Sequence, residues 1–290
     1  MTFAFLILKM KLRYLLFMFL YFNAFSSALF AKVKREKDIA YTNEINGRRN
    51  YLDVYHPEVN GKPKDVLVFI HGGSWNSGKK DTYWWLGRNF ANKGIVEVNI
   101  NYSLAPDYQY AQMATDAAAA IKWVKTHISE FGGNPERIFV MGHSAGGHLA
   151  ALINSDPRFF REQGIENPIK GVILNDGFGL DMHEYLLQAV KNEQTASFLK
   201  TFSDDQENWK QGSPLTYLDN IKNPYLILVG ERTYPAIKLQ SKRLSDMLTD
   251  RKQPVVFKEI DKKKHVGMIS QMFFAGNEMY GLILDFMAAH

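Results

Sequence analysis

The sequence predicts an α/β protein, a mostly parallel sheet with helices on both faces. Three observations carry that expectation. From residue 38 onward, short runs of β-forming residues alternate with helical runs. Runs such as "DVLVFI" at 65–70 are apolar throughout, as strands buried on both faces are. The glycine-rich stretches "HGGSW" and "GHSAGG" each follow a strand directly, at the carboxyl-terminal edge where sheets of this kind bind ligands.

The first thirty-one residues stand apart. They hold Lys9, Lys11 and Arg13, no acidic residue, and the apolar run "YLLFMFLYF" at 14–22. Small residues in "SSALFA" suit cleavage after Ala28 or Ala31, so 1–31 reads as a secretory signal, with Met10 an alternative start and an uncleaved membrane anchor the rival. The expected location is therefore outside the cytoplasm, periplasmic or secreted. There is no cysteine, which excludes both disulfides and a lipid-modified cysteine at the cleavage site.

Residues 32–290 are expected to form one domain. With 46% hydrophobic, 22% charged and 13% aromatic residues, the chain can bury a core and is far from the composition of disorder. Setting the leader's three basic residues aside leaves 32 basic against 30 acidic residues, a net charge of +2. No basic stripe with interleaved aromatics appears, so a nucleic-acid partner is not expected, and membrane contact is expected only through the leader.

The elements follow in order. "DIAYTNEINGRRNYLDVY" reads as an antiparallel hairpin turning at Asn46-Gly47. Strands are then expected at 65–70, 94–100, 137–142, 170–175, 225–230 and 254–260, and helices near 81–92, 109–129, 144–153, 235–249 and 275–288. The segment from about 178 to 222 exceeds what one crossover needs and reads as a helical excursion, a small lid over the sheet's carboxyl edge.

The stretch "FVMGHSAGGHLAAL" places Ser144 between a strand and a helix, with Gly142 and Gly146 two residues to either side. A serine on such a sharp strand-to-helix turn needs glycines there, because side chains would collide with the neighbouring strand and helix. The turn exposes the hydroxyl and sets it beside the unpaired N–H groups of a helix N-terminus. "FIHGGSW" offers two further unobstructed amides at Gly72 and Gly73, which with that of Ala145 could form an oxyanion hole.

"HGGSWNSGKKDTY", "NYSLAP", "GGNPERIFVMGHSAGGHLAAL" and the late "KKHVGM" together resemble the α/β-hydrolase superfamily, in particular its bacterial carboxylesterase branch, near hormone-sensitive-lipase-like and kynurenine-formamidase-like enzymes. The resemblance spans the mature chain and is denser in its first half. It implies the α/β-hydrolase fold, an eight-stranded sheet with a small helical lid, and a nucleophile, acid and histidine in that chain order.

A serine hydroxyl needs a base within hydrogen-bond reach. Of eight histidines, His265, expected in the loop after the last strand, is the best placed. His71 and His143 belong to the motif turns, His148 to the helix after Ser144, and His56, His127 and His290 to element ends, while His183 could face the pocket from the excursion. In the family an aspartate usually stands three residues after the glycine that ends the last strand but one, and here Thr233 occupies that place. Two carboxylates are candidates for the missing acid: Asp176, preferred, at the end of the preceding strand, and Glu231 beside Gly230. Asp181 reads as a helix N-cap.

The reading that follows is an exported serine esterase acting on small or short-chain acyl esters, including acyl groups on sugars, without cofactor or metal. His143 and His148 lack the H-E-x-x-H arrangement of a helix-borne metal pair. An amidase or peptidase on the same fold shares the tetrahedral intermediate and stays open. So does a non-catalytic binding module, for which the threonine at 233 is the motive. Lys262, Lys263 and Lys264 form either a solvated loop or an attractor for anionic substrates. Trp75, Trp84 and Trp85 either line an acyl pocket or pack in the core.

Overall fold

A computed structural model describes residues 33–42, 50–59 and 61–290. The leader and the Asn46-Gly47 turn lie outside the described residues. Among these residues, eight strands form one sheet: β1 (Lys34–Ala40), β2 (Tyr51–His56), β3 (Lys64–Ile70), β4 (Val96–Ile100), β5 (Gly133–His143), β6 (Ile169–Asn175), β7 (Tyr225–Gly230) and β8 (Val255–Ile260). Their order is β1-β2-β4-β3-β5-β6-β7-β8, antiparallel at the β1–β2 and β2–β4 pairs and parallel from β4 to β8.

The uninterrupted apolar runs have the cause expected of them. Successive side chains of a strand point to opposite faces, so in β3 the residues Val66, Val68 and Ile70 enter one core while Leu67 and Phe69 enter the other. Helices α2 (Tyr110–His127), α3 (Ala145–Ser155) and α8 (Pro235–Asp250) contribute to the first core. Helices α1 (Trp84–Ala91), α9 (His265–Ser270) and α10 (Glu278–Ala289) contribute to the second. The short α4 (Arg158–Glu162) was not expected from the sequence; Phe159 and Phe160 bury it on the first core. The 178–222 excursion contains α5 (Met182–Gln188), α6 (Glu193–Phe202) and α7 (Gln206–Gln211), and Asp181 caps α5 by accepting the amide N–H of Glu184.

The antiparallel end of the sheet is held by charge. Asp53 on β2 is fully buried, and its carboxylate takes the Lys80 ammonium at 2.7 Å and the Arg35 guanidinium at 2.6 Å. Lys80, itself only 1% exposed, also reaches Asp38. A buried acid with two cations is costly to break from either side. This cluster anchors the segment that runs from the "HGGSW" loop into α1.

The strand-to-helix turn at Ser144 is steric in origin. Ser144 has φ 56° and ψ −123°, a conformation that non-glycine residues rarely adopt. A Cβ at position 142 would stand 2.1 Å from the Gly146 carbonyl oxygen, and one at 146 would stand 2.0 Å from that of Ile70. Neither oxygen can rotate away. Gly146→Ala is therefore expected to lower stability by about 2–4 kcal/mol. Gly276→Ala, where a Cβ meets nothing within 4 Å, should change it by less than about 1 kcal/mol. Denaturant unfolding of the two variants compares them.

Candidate active site

Three strand ends meet at the sheet's carboxyl edge. The turn after β5 carries Ser144, the residue after β6 is Asp176, and the segment after β8 leads to His265, the first residue of α9. The sequence placed His265 in a loop, but the short helix His265–Ser270 begins there. Met268 and Ile269, both buried in the second core, draw that turn down onto the sheet.

The side chains form a continuous hydrogen-bonded chain. The Asp176 carboxylate accepts from His265 Nδ1 at 2.6 Å, and His265 Nε2 stands 2.8 Å from Ser144 Oγ. A carboxylate can only accept, so Nδ1 carries the proton and the Nε2 lone pair receives the serine hydroxyl's hydrogen. Ser144 is 8% exposed and the His265 side chain 16%, so the site is narrow but open to solvent.

Asp176 is completely buried and holds φ 54°, a left-handed conformation that aspartate tolerates better than most residues. A buried carboxylate needs donors on both oxygens. One oxygen takes the Gly230 amide at 2.9 Å, and the other takes the Thr233 hydroxyl as well as the imidazole. Thr233, where the resemblance led to the expectation of an aspartate, thus donates its hydroxyl to a carboxylate at the neighbouring strand end. Glu231 is not brought to the imidazole. Its carboxylate is 40% exposed and accepts the Lys262 amide at 2.5 Å, because a residue directly after Gly230 points away from the site.

Gly72 lies alongside the serine: a Cβ built on it would be 3.0 Å from the Ser144 Cβ. Among the described residues, no backbone acceptor takes the N–H of Gly72, Gly73 or Ala145. Ala145 opens α3, whose first amides have no partner within the helix.

Other histidines take quieter positions. His143 stacks on His265, ring centroids 4.9 Å apart, and its Nε2–H donates to the His265 carbonyl at 3.2 Å. Burial, aided by the neighbouring His265, pushes its imidazole down to about 4. The motif gave no hint of this stacking, which joins segments 122 residues apart. Burial likewise pushes His148 on α3 down to about 4. His183 does not face the serine. It lines a separate cavity of about 540 Å³ with Lys210, Arg243 and Met247, in which neither Ser144 nor His265 takes part. Trp75 is fully buried in the first core, while Trp84 is exposed and Trp85 packs partly against the second core. Among the described residues, no cluster suited to a metal ion is present, and no helix is long and apolar enough to cross a membrane.

An eight-stranded, mostly parallel sheet with a serine turn after its fifth strand, an acid after the sixth and a histidine after the eighth defines the α/β-hydrolase fold. Within that fold, residues 52–248 match the BD-FAE family, and the chain belongs to it. Among similar proteins are the "Probable carboxylic ester hydrolase LipM" of Mycobacterium tuberculosis, 32% identical over 79% of this chain and 57% of that protein, and the "Isoprenylcysteine alpha-carbonyl methylesterase ICME" of Arabidopsis thaliana, 37% identical over 69% of this chain and 50% of that protein. The chain spans about half the length of the curated relatives it matches. Among solved structures, esterase B from Lactobacillus rhamnosis superposes with a TM-score of 0.75 at 19% identity, covering 97% of this chain and 95% of that one.

The two low-pKa histidines set a pH dependence of stability. Both are neutral in the folded protein down to about pH 4, whereas in the unfolded chain they take up protons below about 6.5. The unfolded state binds more protons in that window, so stability is expected to fall as pH drops from about 6.5 to about 4, with no further loss from these groups below it. Unfolding midpoints measured at intervals between pH 7 and 4 check this, and His143→Phe should flatten the decline.

Proposed function

We propose that this protein is a serine hydrolase that cleaves small or short-chain acyl esters through an acyl-enzyme on Ser144. The observation that carries this reading is the hydrogen-bonded chain from Ser144 through His265 to Asp176. His265 takes the hydroxyl proton as Ser144 attacks the ester carbonyl, and Asp176 holds the imidazole in the required tautomer and stabilises the imidazolium that forms. Negative charge developing on the carbonyl oxygen is received by the amides of Gly72, Gly73 and Ala145, an oxyanion hole on this reading. The imidazolium protonates the leaving alcohol. Water, activated by the same histidine, then releases the acid and restores Ser144.

Esters are favoured over amides because the similar proteins are described as a carboxylic ester hydrolase and a methylesterase. The motive for a non-catalytic reading was the threonine at 233. It loses its force, since that hydroxyl donates to a carboxylate already on the imidazole. Residues 1–31, basic then apolar then small, support export of the enzyme to the periplasm or beyond. N-terminal sequencing of protein recovered outside the cytoplasm tests that part.

With a short-chain aryl ester, Ser144→Ala and Asp176→Asn should each lower kcat by about 10⁴-fold or more. Thr233→Val should cost roughly ten-fold, the value of one hydrogen bond to a charged group. Glu231→Gln should leave turnover within about two-fold. Undiminished turnover in Ser144→Ala would overturn the assignment, and a loss confined to Glu231→Gln would move the acid.

A further inference from the structure

The loop that carries Gly72 and Gly73 is strained. Gly73, Ser74 and Trp75 hold φ of 125°, 51° and 60° in succession. Positive φ at two consecutive non-glycine residues costs on the order of 1–3 kcal/mol each, and it persists only where surrounding contacts over-determine it. Trp75 is the residue with such contacts. Its indole is fully buried, standing edge-on to Phe198, Phe202 and His148 with centroids 5.6, 5.0 and 5.3 Å away.

One polar bond fixes the indole's orientation within this apolar box. Trp75 Nε1–H donates to His148 Nδ1 at 3.2 Å. An indole nitrogen only donates, so Nδ1 is the unprotonated nitrogen of a neutral ring, and Nε2–H donates to the Gly212 carbonyl at 2.6 Å. Both ring nitrogens are thereby satisfied in a histidine that is completely buried. His148 stands one turn beyond the serine on α3, its amide donating to the Ser144 carbonyl at 3.2 Å. A single side chain therefore ties the helix that begins at the serine to the strained glycine loop on one side and to the 178–222 excursion on the other. An apolar side chain at 148 would leave both the indole N–H and the Gly212 carbonyl buried without this partner, so packing alone does not account for a histidine there.

We propose that His148 is a positioning residue for the hydrolytic reaction: through the Trp75 indole it holds the amides of Gly72 and Gly73 in place beside Ser144. The proposal rests on the serine-hydrolase reading above. It predicts that breaking the bond loosens the oxyanion donors without touching the nucleophile or base. The loss should therefore fall on the chemical step and on the binding of a tetrahedral analogue rather than on substrate affinity.

The test compares Trp75→Phe, which keeps an aromatic ring but removes the N–H, with His148→Phe, His148→Asn and the double phenylalanine variant. Active sites are first counted by stoichiometric labelling with a phosphonate, so that misfolded protein does not enter the rates. Expected for each phenylalanine variant is a fall in kcat of about ten- to hundred-fold on a short-chain aryl ester, with KM within about three-fold. The affinity for a reversible boronic-acid inhibitor should fall in parallel with kcat/KM. The double variant should be no worse than the poorer single one, because both remove the same bond. His148→Asn, whose amide oxygen can accept from the indole, should recover most of the rate. If the single variants keep the wild-type kcat per active site and lose only thermal stability, or if their losses multiply in the double variant, the positioning role is wrong while the serine reading stands. Wild-type protein that neither labels nor turns over an ester overturns both.

Discussion

The arrangement at the carboxyl edge depends on one buried charge. Asp176 is removed from water completely, and the donors that make this tolerable come from two distant segments: an amide at the end of β7 with a hydroxyl three residues later, and an imidazole from the start of α9. Each donor in turn is fixed by this shared acceptor. The carboxylate consequently sets the pose of His265, and His265 sets the direction of the Ser144 hydroxyl. The strained turn under Ser144 does the complementary work, presenting Oγ to the imidazole at a place where two glycines let backbone approach backbone.

Much of this was legible in the sequence because it is local. The apolar runs of β3, β5, β6 and β7 announce strands buried on two faces, and the boundaries of β7 and α8 fall within a residue of expectation. Gly142, Ser144 and Gly146 form a turn whose steric requirement is written in five consecutive residues. His265 followed from its place after the last strand, and Asp176 from its place at a strand end.

The less legible features are contacts between distant segments. Nothing in "VGERTYP" says that the Thr233 hydroxyl will reach a carboxylate 57 residues earlier. Glu231 was a candidate only because it is a nearby acid in sequence, and the direction its side chain takes after Gly230 is set by the pairing of β7 with β8. The stacking of His143 on His265 and the bond from Trp75 to His148 likewise join residues more than seventy positions apart. Spacing patterns carry no information on such pairs. A short helix such as α4, with two phenylalanines as its whole apolar face, is too brief to show a period.

The hydrogen bond between Thr233 and Asp176 also sets an occupancy rule for this edge of the sheet. Two side chains on neighbouring strand ends share a single vacancy for negative charge, since a second carboxylate at 233 would stand against the buried first one and favour a retained proton on one of them. In this chain the imidazole finds its carboxylate after β6 and not after β7. The strand end that does not supply the carboxylate furnishes a neutral donor instead, the Thr233 hydroxyl.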